Sequence, residues 1–268
     1  MDELRRPVES CHPVLPVIFI HGLIGSFADP RALAPLHPAP TLCPDLHGYG
    51  ADVRAEPGTI TIDTQVEHLR AAIDQALPGG RVHVVGHSVG GVIAAAFAHR
   101  FPERTASLVS VEGNFSLADA FWSQQLAAKT PAEVEHIVQA DRADPERWLR
   151  AAGIEPTGEY LRSATQDLAY QPASTIHAMA RTVVEYTAGP DYQQQLRDVF
   201  ERVPVHLVAG ARSRTGWDVP AWALSAAASY TELPHTGHMV MLEAPEEFGA
   251  LLAGILAPAS AGQDSTPE

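Results

Sequence analysis

Ser88 is the residue whose surroundings speak most directly of chemistry. It stands in Gly86-His87-Ser88-Val89-Gly90, a G-x-S-x-G pattern. The pattern recurs by chance, but here it follows the apolar run Val82–Val85 and precedes the Ala-rich stretch Gly91–Arg100. The spacing therefore predicts a serine on a tight strand-to-helix turn. Such a turn needs small neighbours two residues to either side, which Gly86 and Gly90 supply. It lifts the hydroxyl off the sheet at a helix N-terminus, where the Val89 N–H and the helix dipole favour a developing oxyanion. A serine so placed attacks a carbonyl once a base within hydrogen-bond reach takes its proton.

With 13 histidines in the chain, a lone imidazole carries little weight. His238 is the predicted base, because it follows Gly237 and a late apolar stretch; His235 is the fallback. His21 and His87 are expected to shape the site rather than to move protons. No metal or cofactor is expected. His235-x-x-His238 has no partner Cys or acidic pair to complete a zinc site. There is no P-loop lysine motif, and no G-x-G-x-x-G follows the first strand.

These residues must be held by a scaffold, and the periodicity describes one. Val17–Ile20, Val82–Val85, Leu108–Val111 and Val205–Ala209 are short, Val- or Ile-rich runs without alternation. That is the mark of strands covered on both faces, as in a parallel sheet. Thr41–Cys43 and Tyr230–Leu233 are weaker strand candidates. Between them, Thr64–Leu77 and Gly91–Arg100 read as helices. Alternating strands and helices predict an α/β chain with a doubly wound, mostly parallel sheet. From 115 to 200 the rhythm changes to helix throughout. Thr130-Pro131-Ala132-Glu133 and Asp144-Pro145-Glu146 are helix starts, Gly153 is a stop, and Ser116 with Asp119 is expected to open a further helix. The predicted organisation is a core of 14–114 and 201–256, an inserted helical cap of 115–200, and flexible termini at 1–13 and 257–268.

Composition limits the partners. Asp and Glu outnumber Lys and Arg by 32 to 18, for a formal net charge of −14, and Lys129 is the sole lysine. Phosphate backbones and anionic lipid surfaces are repelled by such a chain, so neither nucleic acid nor membrane is an expected partner. The apolar runs are strand-length, far short of a bilayer span, and the N-terminus shows no secretory pattern. A cytoplasmic protein is expected, with Cys11 and Cys43 as free thiols rather than a disulfide framework. The Ala-rich composition, 22 Pro and a single Lys suggest a bacterial coding sequence rich in G and C. The sequence carries no signal of oligomeric state.

Several segments, in order, resemble the α/β-hydrolase superfamily. His21-Gly22-Leu23 after the first strand is similar to the family's H-G-x oxyanion turn. Asp45-Leu46-His47-Gly48-Tyr49-Gly50 is similar to its D-x-x-G-x-G loop. Gly237-His238, with Glu243, Pro245 and Phe248 behind it, resembles its G-H-x-x-x-x-E-x-P-x-x-F segment. The resemblance covers 14–115 and 200–256. It implies an α/β-hydrolase fold, Ser88 as nucleophile, His238 as base, and the N–H groups of Leu23 and Val89 as the oxyanion hole. The chain departs from the family where an acid usually follows the strand corresponding to Val205–Ala209: Gly210-Ala211-Arg212-Ser213-Arg214 holds none. Some members, notably among the dehalogenases, carry the acid at the preceding strand end, where Glu112 stands here. Glu112 is the predicted third member and Asp218 the alternative.

Ser88 itself argues against the dehalogenases and epoxide hydrolases of this fold, which have Asp at that position. The expected activity is hydrolysis of a carboxylic ester or related acyl bond of a small molecule, without cofactor, through an acyl-enzyme. Two other readings stay open: a cofactor-free lyase or cyclase using the same residues as acid and base, and a non-catalytic ligand-binding protein. His21, Gly22, Phe115, Phe121 and Trp122 are the candidate substrate contacts, and the cap aromatics Trp148, Tyr160, Tyr170 and Tyr186 are further candidates for an apolar pocket.

Overall fold

A computed structural model describes residues 14–257. The termini 1–13 and 258–268, and with them Cys11, lie outside the described residues. Six strands form one parallel sheet: β1 (Val17–Ile20), β2 (Thr41–Leu42), β3 (Val82–His87), β4 (Thr105–Val111), β5 (Val205–Gly210) and β6 (Ser229–Leu233), in the order β2-β1-β3-β4-β5-β6. The two weak strand candidates are thus the two edges, where short or half-polar strands suffice because only one side is paired. The sequence reading stopped β3 at Val85; the strand runs two residues further, to the turn itself.

Strand residues alternate between two cores, as the pleat requires. Ile18, Ile20, Val84, Leu108 and Leu207 face one layer of helices. Val17, Phe19, Val85, Val109 and Val208 face the other. All ten side chains are buried, and each contributes roughly 1.5–3 kcal/mol of transfer free energy. The first layer is α2 (Ile62–Ala76) and α3 (Val89–Arg100), with α9 (Tyr192–Arg202) against α3. The second is α1 (Pro30–Leu33) and α12 (Pro245–Leu256), which pack on each other. Helix α2 starts at Ile62, earlier than its polar pattern suggested. Thr61 is the N-cap and its hydroxyl accepts the Thr64 N–H, so Thr64 is the third helical residue and not the first.

Between β4 and β5 the chain is helical: α4 (Phe121–Ala127), α5 (Pro131–Ala143), α6 (Pro145–Ala151), α7 (Gly158–Ala169), α8 (Ala173–Ala188) and α9. Thr130 and Glu133 form the expected capping box on α5, and Asp144 caps α6. The helix expected to open at Ser116 does not form. The Asp119 carboxylate folds back to accept the amides of Phe115 and Ser116, closing a turn, and α4 begins only at Phe121. The remaining short helices are α10 (Ala221–Ala226) and α11 (Val240–Glu243). No helix among the described residues is long and apolar enough to cross a membrane.

Sheet order fixes where a site can be. The chain goes outward from β1 to β2, returns to lay β3 on the other side of β1, and then proceeds away through β4, β5 and β6. The crevice at the C-terminal ends of β1 and β3 is the reversal point, where ligands bind in open α/β sheets.

Candidate active site

Ser88 occupies that crevice, one residue past β3. Its φ of 53° and ψ of −121° are strained for a residue bearing a Cβ, a cost of order 1–3 kcal/mol that the surroundings must impose. They do so by close backbone approach. A Cβ on Gly86 would lie 2.4 Å from the Gly90 carbonyl oxygen, and one on Gly90 would lie 2.2 Å from that of Ile20. No side chain fits at either position. The Ser88 amide donates to Val111 O at 3.0 Å, which ties the bend to the end of β4. Val89 then opens α3, where a first-turn N–H has no partner within the helix.

Register places Glu112 beside this bend. His87 pairs with Val111, so the next residue of β4's chain emerges next to Ser88. Glu112 also has a positive φ, 45°, and its amide donates to Val208 O at 3.0 Å. Its buried carboxylate turns to the far side: Oε1 accepts from the Gly210 amide at 2.8 Å and from Ser213 Oγ, and Oε2 lies 2.6 Å from His238 Nδ1. Burial alone would raise the Glu112 pKa. The His238 hydrogen bond and charge, with those from Ser213 and Gly210, outweigh it and hold the group below its ordinary value. An ionised Glu112 accepts from Nδ1–H, which leaves Nε2 of His238 as the nitrogen turned to other work.

The loop that carries His238 is held from behind. The Gly237 amide donates to Glu243 Oε1 at 2.7 Å, Arg212 pairs with the other Glu243 oxygen, and Tyr160 OH donates to Glu243 O at 3.1 Å. His87 Nε2 donates to the His238 carbonyl at 2.9 Å, with the two rings 4.6 Å apart. Burial first, and then the neighbouring His238, push His87 down to about 3. It is a neutral positioning ring throughout the physiological range.

On the opposite wall, Leu23 follows β1. Tyr49 OH donates to its carbonyl at 3.1 Å, while Gln171 Oε1 accepts the Gly25 amide and Asp167 Oδ1 the Ser26 amide. His21 is buried below, its Nδ1 2.9 Å from Gly22 O, its ring edge-on to Tyr49 and Tyr170. Burial lowers it to about 4.

Ser88, His238, Glu112, Leu23 and Val89 all line one cavity of about 570 Å³. Among the described residues, no hydrogen bond joins Ser88 to His238 in this conformation; such contacts often tighten only around substrate. Of the candidate substrate contacts, Phe121 and Trp122 line the cavity and Phe115, His21 and Gly22 do not. Phe115 is buried against Phe200 and Trp217, His21 is sealed beneath its two tyrosines, and Gly22 faces the His87 ring. Trp148 lines the cavity, whereas Tyr160, Tyr170 and Tyr186 do not. Asp218, the alternative acid, sits elsewhere: its carboxylate accepts from Ser116 Oγ at 3.1 Å and its amide donates to Asp119. His235 is exposed.

Sequence reasoning missed Ser213, Trp217, Asp141 and Met239, all in the cavity wall. Only Ser213 had a signal. It lies in the stretch after β5 where an acid was sought, and its hydroxyl instead donates to Glu112 at the end of β4. As for metals, His47, Asp52 and His68 bring potential ligand atoms within 4.8 Å of one another. Both nitrogens of His47 are already engaged, by Asp52 at 2.5 Å and by the Thr59 hydroxyl at 2.8 Å, and the trio is outside the cavity lining.

Comparison with known proteins agrees with this architecture. The family model described as alpha/beta hydrolase fold matches residues 16–245. The chain is 31% identical over 139 residues to 2-hydroxy-6-oxo-2,4-heptadienoate hydrolase of Pseudomonas putida, a match covering 48% of this chain and 50% of that protein. The chain thus spans about half the length of that curated relative. Among solved structures, MenH from S. aureus superposes with a TM-score of 0.68 at 20% identity, over 92% of this chain and 95% of that one. A putative aryl esterase from Burkholderia cenocepacia gives 0.65 at 22%, over 90% and 89%. At these identities the structural likeness speaks to fold.

Proposed function

The chain belongs to the alpha/beta hydrolase fold family, and from that premise we propose that it is a serine hydrolase acting on a carboxylic ester of a small molecule. The observation that carries this reading is the 2.6 Å contact between His238 Nδ1 and Glu112 Oε2, on a ring that shares its cavity with Ser88. In the proposed reaction His238 Nε2 takes the Ser88 proton as Oγ attacks the ester carbonyl. Glu112 keeps the imidazole in the productive tautomer and stabilises the imidazolium. The N–H groups of Leu23 and Val89 hold the oxyanion, with the α3 N-terminus adding its dipole. His238 returns the proton to the leaving alkoxide. It then draws one from water, which attacks the acyl-enzyme, and gives that proton back to Ser88 Oγ as the ester bond breaks and the acid leaves. No cofactor enters these steps. Residues 115–200 act as a cap that closes the acyl pocket with Phe121, Trp122 and Trp148.

The strained bend at Ser88 supports the nucleophile assignment, because backbone strain of this kind clusters at active sites. The net charge of −14 supports a small-molecule partner rather than nucleic acid or membrane. Turnover of a short aryl ester by the protein and by Ser88→Ala tests the reading. Activity is expected to vanish in the variant with its thermal unfolding unchanged, and an acyl-enzyme is expected to be trapped from substrate in the wild type. Turnover retained by the variant overturns it. Turnover of a natural substrate without any trapped acyl species points instead to the lyase chemistry.

A further inference from the structure

Apart from the His238 imidazole, the ionisable side chains in the cavity wall are all acids. Glu112, Asp119 and Asp141 line it, and no Lys or Arg does. None of the three carboxylates depends on a substrate cation for its place. Glu112 holds His238. Asp119 is buried and accepts three backbone amides, from Phe115 at 2.8 Å, Ser116 at 3.3 Å and Asp218 at 2.6 Å. Asp141 pairs with Arg147 at 2.7 Å, a side chain that is more than half exposed and does not line the cavity. Burial raises both aspartates above their ordinary values, because desolvation disfavours the anion; a nearby cation offsets that cost and a second anion adds to it.

Much of the remaining wall is aromatic, among small, aliphatic and neutral polar residues such as Ala120, Leu23, Asn114 and Ser123. Phe121, Trp122, Trp148 and Trp217 contribute ring surface, with Met239 beside them. Trp217 spends its Nε1–H on Gly113 O at 2.7 Å, so what it offers a ligand is its π-face. The positive end of the α3 dipole serves only the carbonyl beside Ser88, since the field falls away within the first turn.

A carboxylate entering this space would shed its hydration and face three acids with no Lys or Arg in the wall to receive it. An ammonium would meet the same acids and the negative faces of the rings. Building on the ester-hydrolase reading, we infer that the cavity takes acyl groups that are neutral or carry an ammonium, and rejects acyl groups bearing a second carboxylate. Whatever reaction supplies the substrate has therefore already masked, or never installed, a free acid on the acyl chain.

Three 4-nitrophenyl esters of closely similar shape test this: 5,5-dimethylhexanoate (neutral), 4-(trimethylammonio)butanoate (cationic) and the glutarate mono-ester (anionic). The anionic ester is expected to show kcat/KM at least tenfold below the neutral one, and the cationic ester to equal or exceed it. A smaller gap for the anion, or a cation turned over worse than the neutral isostere, overturns the inference. Binding of the matching ethyl esters to Ser88→Ala, read by tryptophan fluorescence, separates this result from the activity itself. If the wild type hydrolyses none of the three while the variant binds them in the expected order, the hydrolase reading falls and the charge selection stands. If any ester is hydrolysed but the anion binds as tightly as the neutral ester, the charge selection falls and the hydrolase reading stands.

Discussion

Gln171 Oε1 accepts the amide hydrogen of Gly25 across 2.9 Å, joining the link between α7 and α8 to the loop that leaves β1. Gln171 is fully buried, and its own position is fixed twice. Its Nε2 donates to Asp167 O at 3.0 Å, and Arg142 donates to its carbonyl at 2.6 Å. The loop it grips carries Leu23, whose N–H is the proposed second oxyanion donor. The hydrogen bond thereby ties the helical segment between β4 and β5 to the loop of the proposed oxyanion hole. Replacing Gln171 by Ala leaves a buried N–H without a partner, a cost of about 1–3 kcal/mol, and frees Leu23 to drift. We expect kcat on an aryl ester to fall about tenfold with KM within threefold, alongside a lowered unfolding temperature. Steady-state kinetics check this, and an unchanged kcat would show that the clamp serves folding alone.

Asp167, in the same clamp, gives a pH dependence. Burial, countered in part by the Ser26 amide, raises its pKa from the usual 3.8 to about 7. The folded protein therefore keeps a proton that the unfolded chain sheds near 3.8. Its contribution to stability is complete below 3.8, declines as pH rises toward 7, and is constant above. Asn is the isostere of the protonated acid and has no proton to lose. Asp167→Asn should stabilise the protein relative to wild type more at pH 8 than at pH 5, by about 2–3 kcal/mol. Denaturant titrations at the two pH values measure this; equal differences at both would mean that Asp167 is ionised in the fold.

How much of this was legible in the sequence depends on whether a feature is local. The β3 strand, the turn at Ser88 and the α5 capping box are written in consecutive residues, and so is the alternation of strands with helices. Elements whose signal is shared with a neighbour were misplaced: Thr61 and Thr64 are both good caps, and only the fold selects the first. The contacts of the cavity were the least legible. Asp141, Trp217 and Met239 come from three separate segments, and nothing within each announces the other two. Asp119 read as a helix opener because its spacing from Ser116 fits one. Its carboxylate instead satisfies the amides of a turn and also that of Asp218, 99 residues away, a partner no local spacing could reveal.

The two acids weighed for the site make opposite predictions. Glu112 bonds His238, while Asp218 bonds Ser116. Glu112→Gln keeps the shape but presents an amide that favours the wrong imidazole tautomer. The expected loss in kcat is on the order of 10²–10⁴. Asp218→Asn is expected to stay within threefold of wild type. The reverse ranking in a side-by-side kinetic comparison would move the role to Asp218.

Gly210 offers a test of how tightly the base is placed. Its amide donates to Glu112, and a Cβ on it would fall 2.1 Å from the Gly237 carbonyl oxygen and 2.8 Å from that of Thr236. Both are backbone atoms, so the added methyl cannot be accommodated by a side-chain rotation. The loop bearing Gly237 and His238 must retreat from the end of β5, while Glu112 stays with the sheet. Gly210→Ala should therefore stretch the His238–Glu112 contact and cost at least about 2 kcal/mol of stability, in the range of overpacking in a tight core. We expect kcat to drop by about a hundredfold even where the protein remains folded. Gly254→Ala is the control: it lies in α12, a Cβ there meets nothing within 4 Å, and removing backbone freedom from a helix should stabilise by about 0.5–1 kcal/mol. If both variants keep full activity, the loop after β6 is not held where the proposed proton transfer requires it.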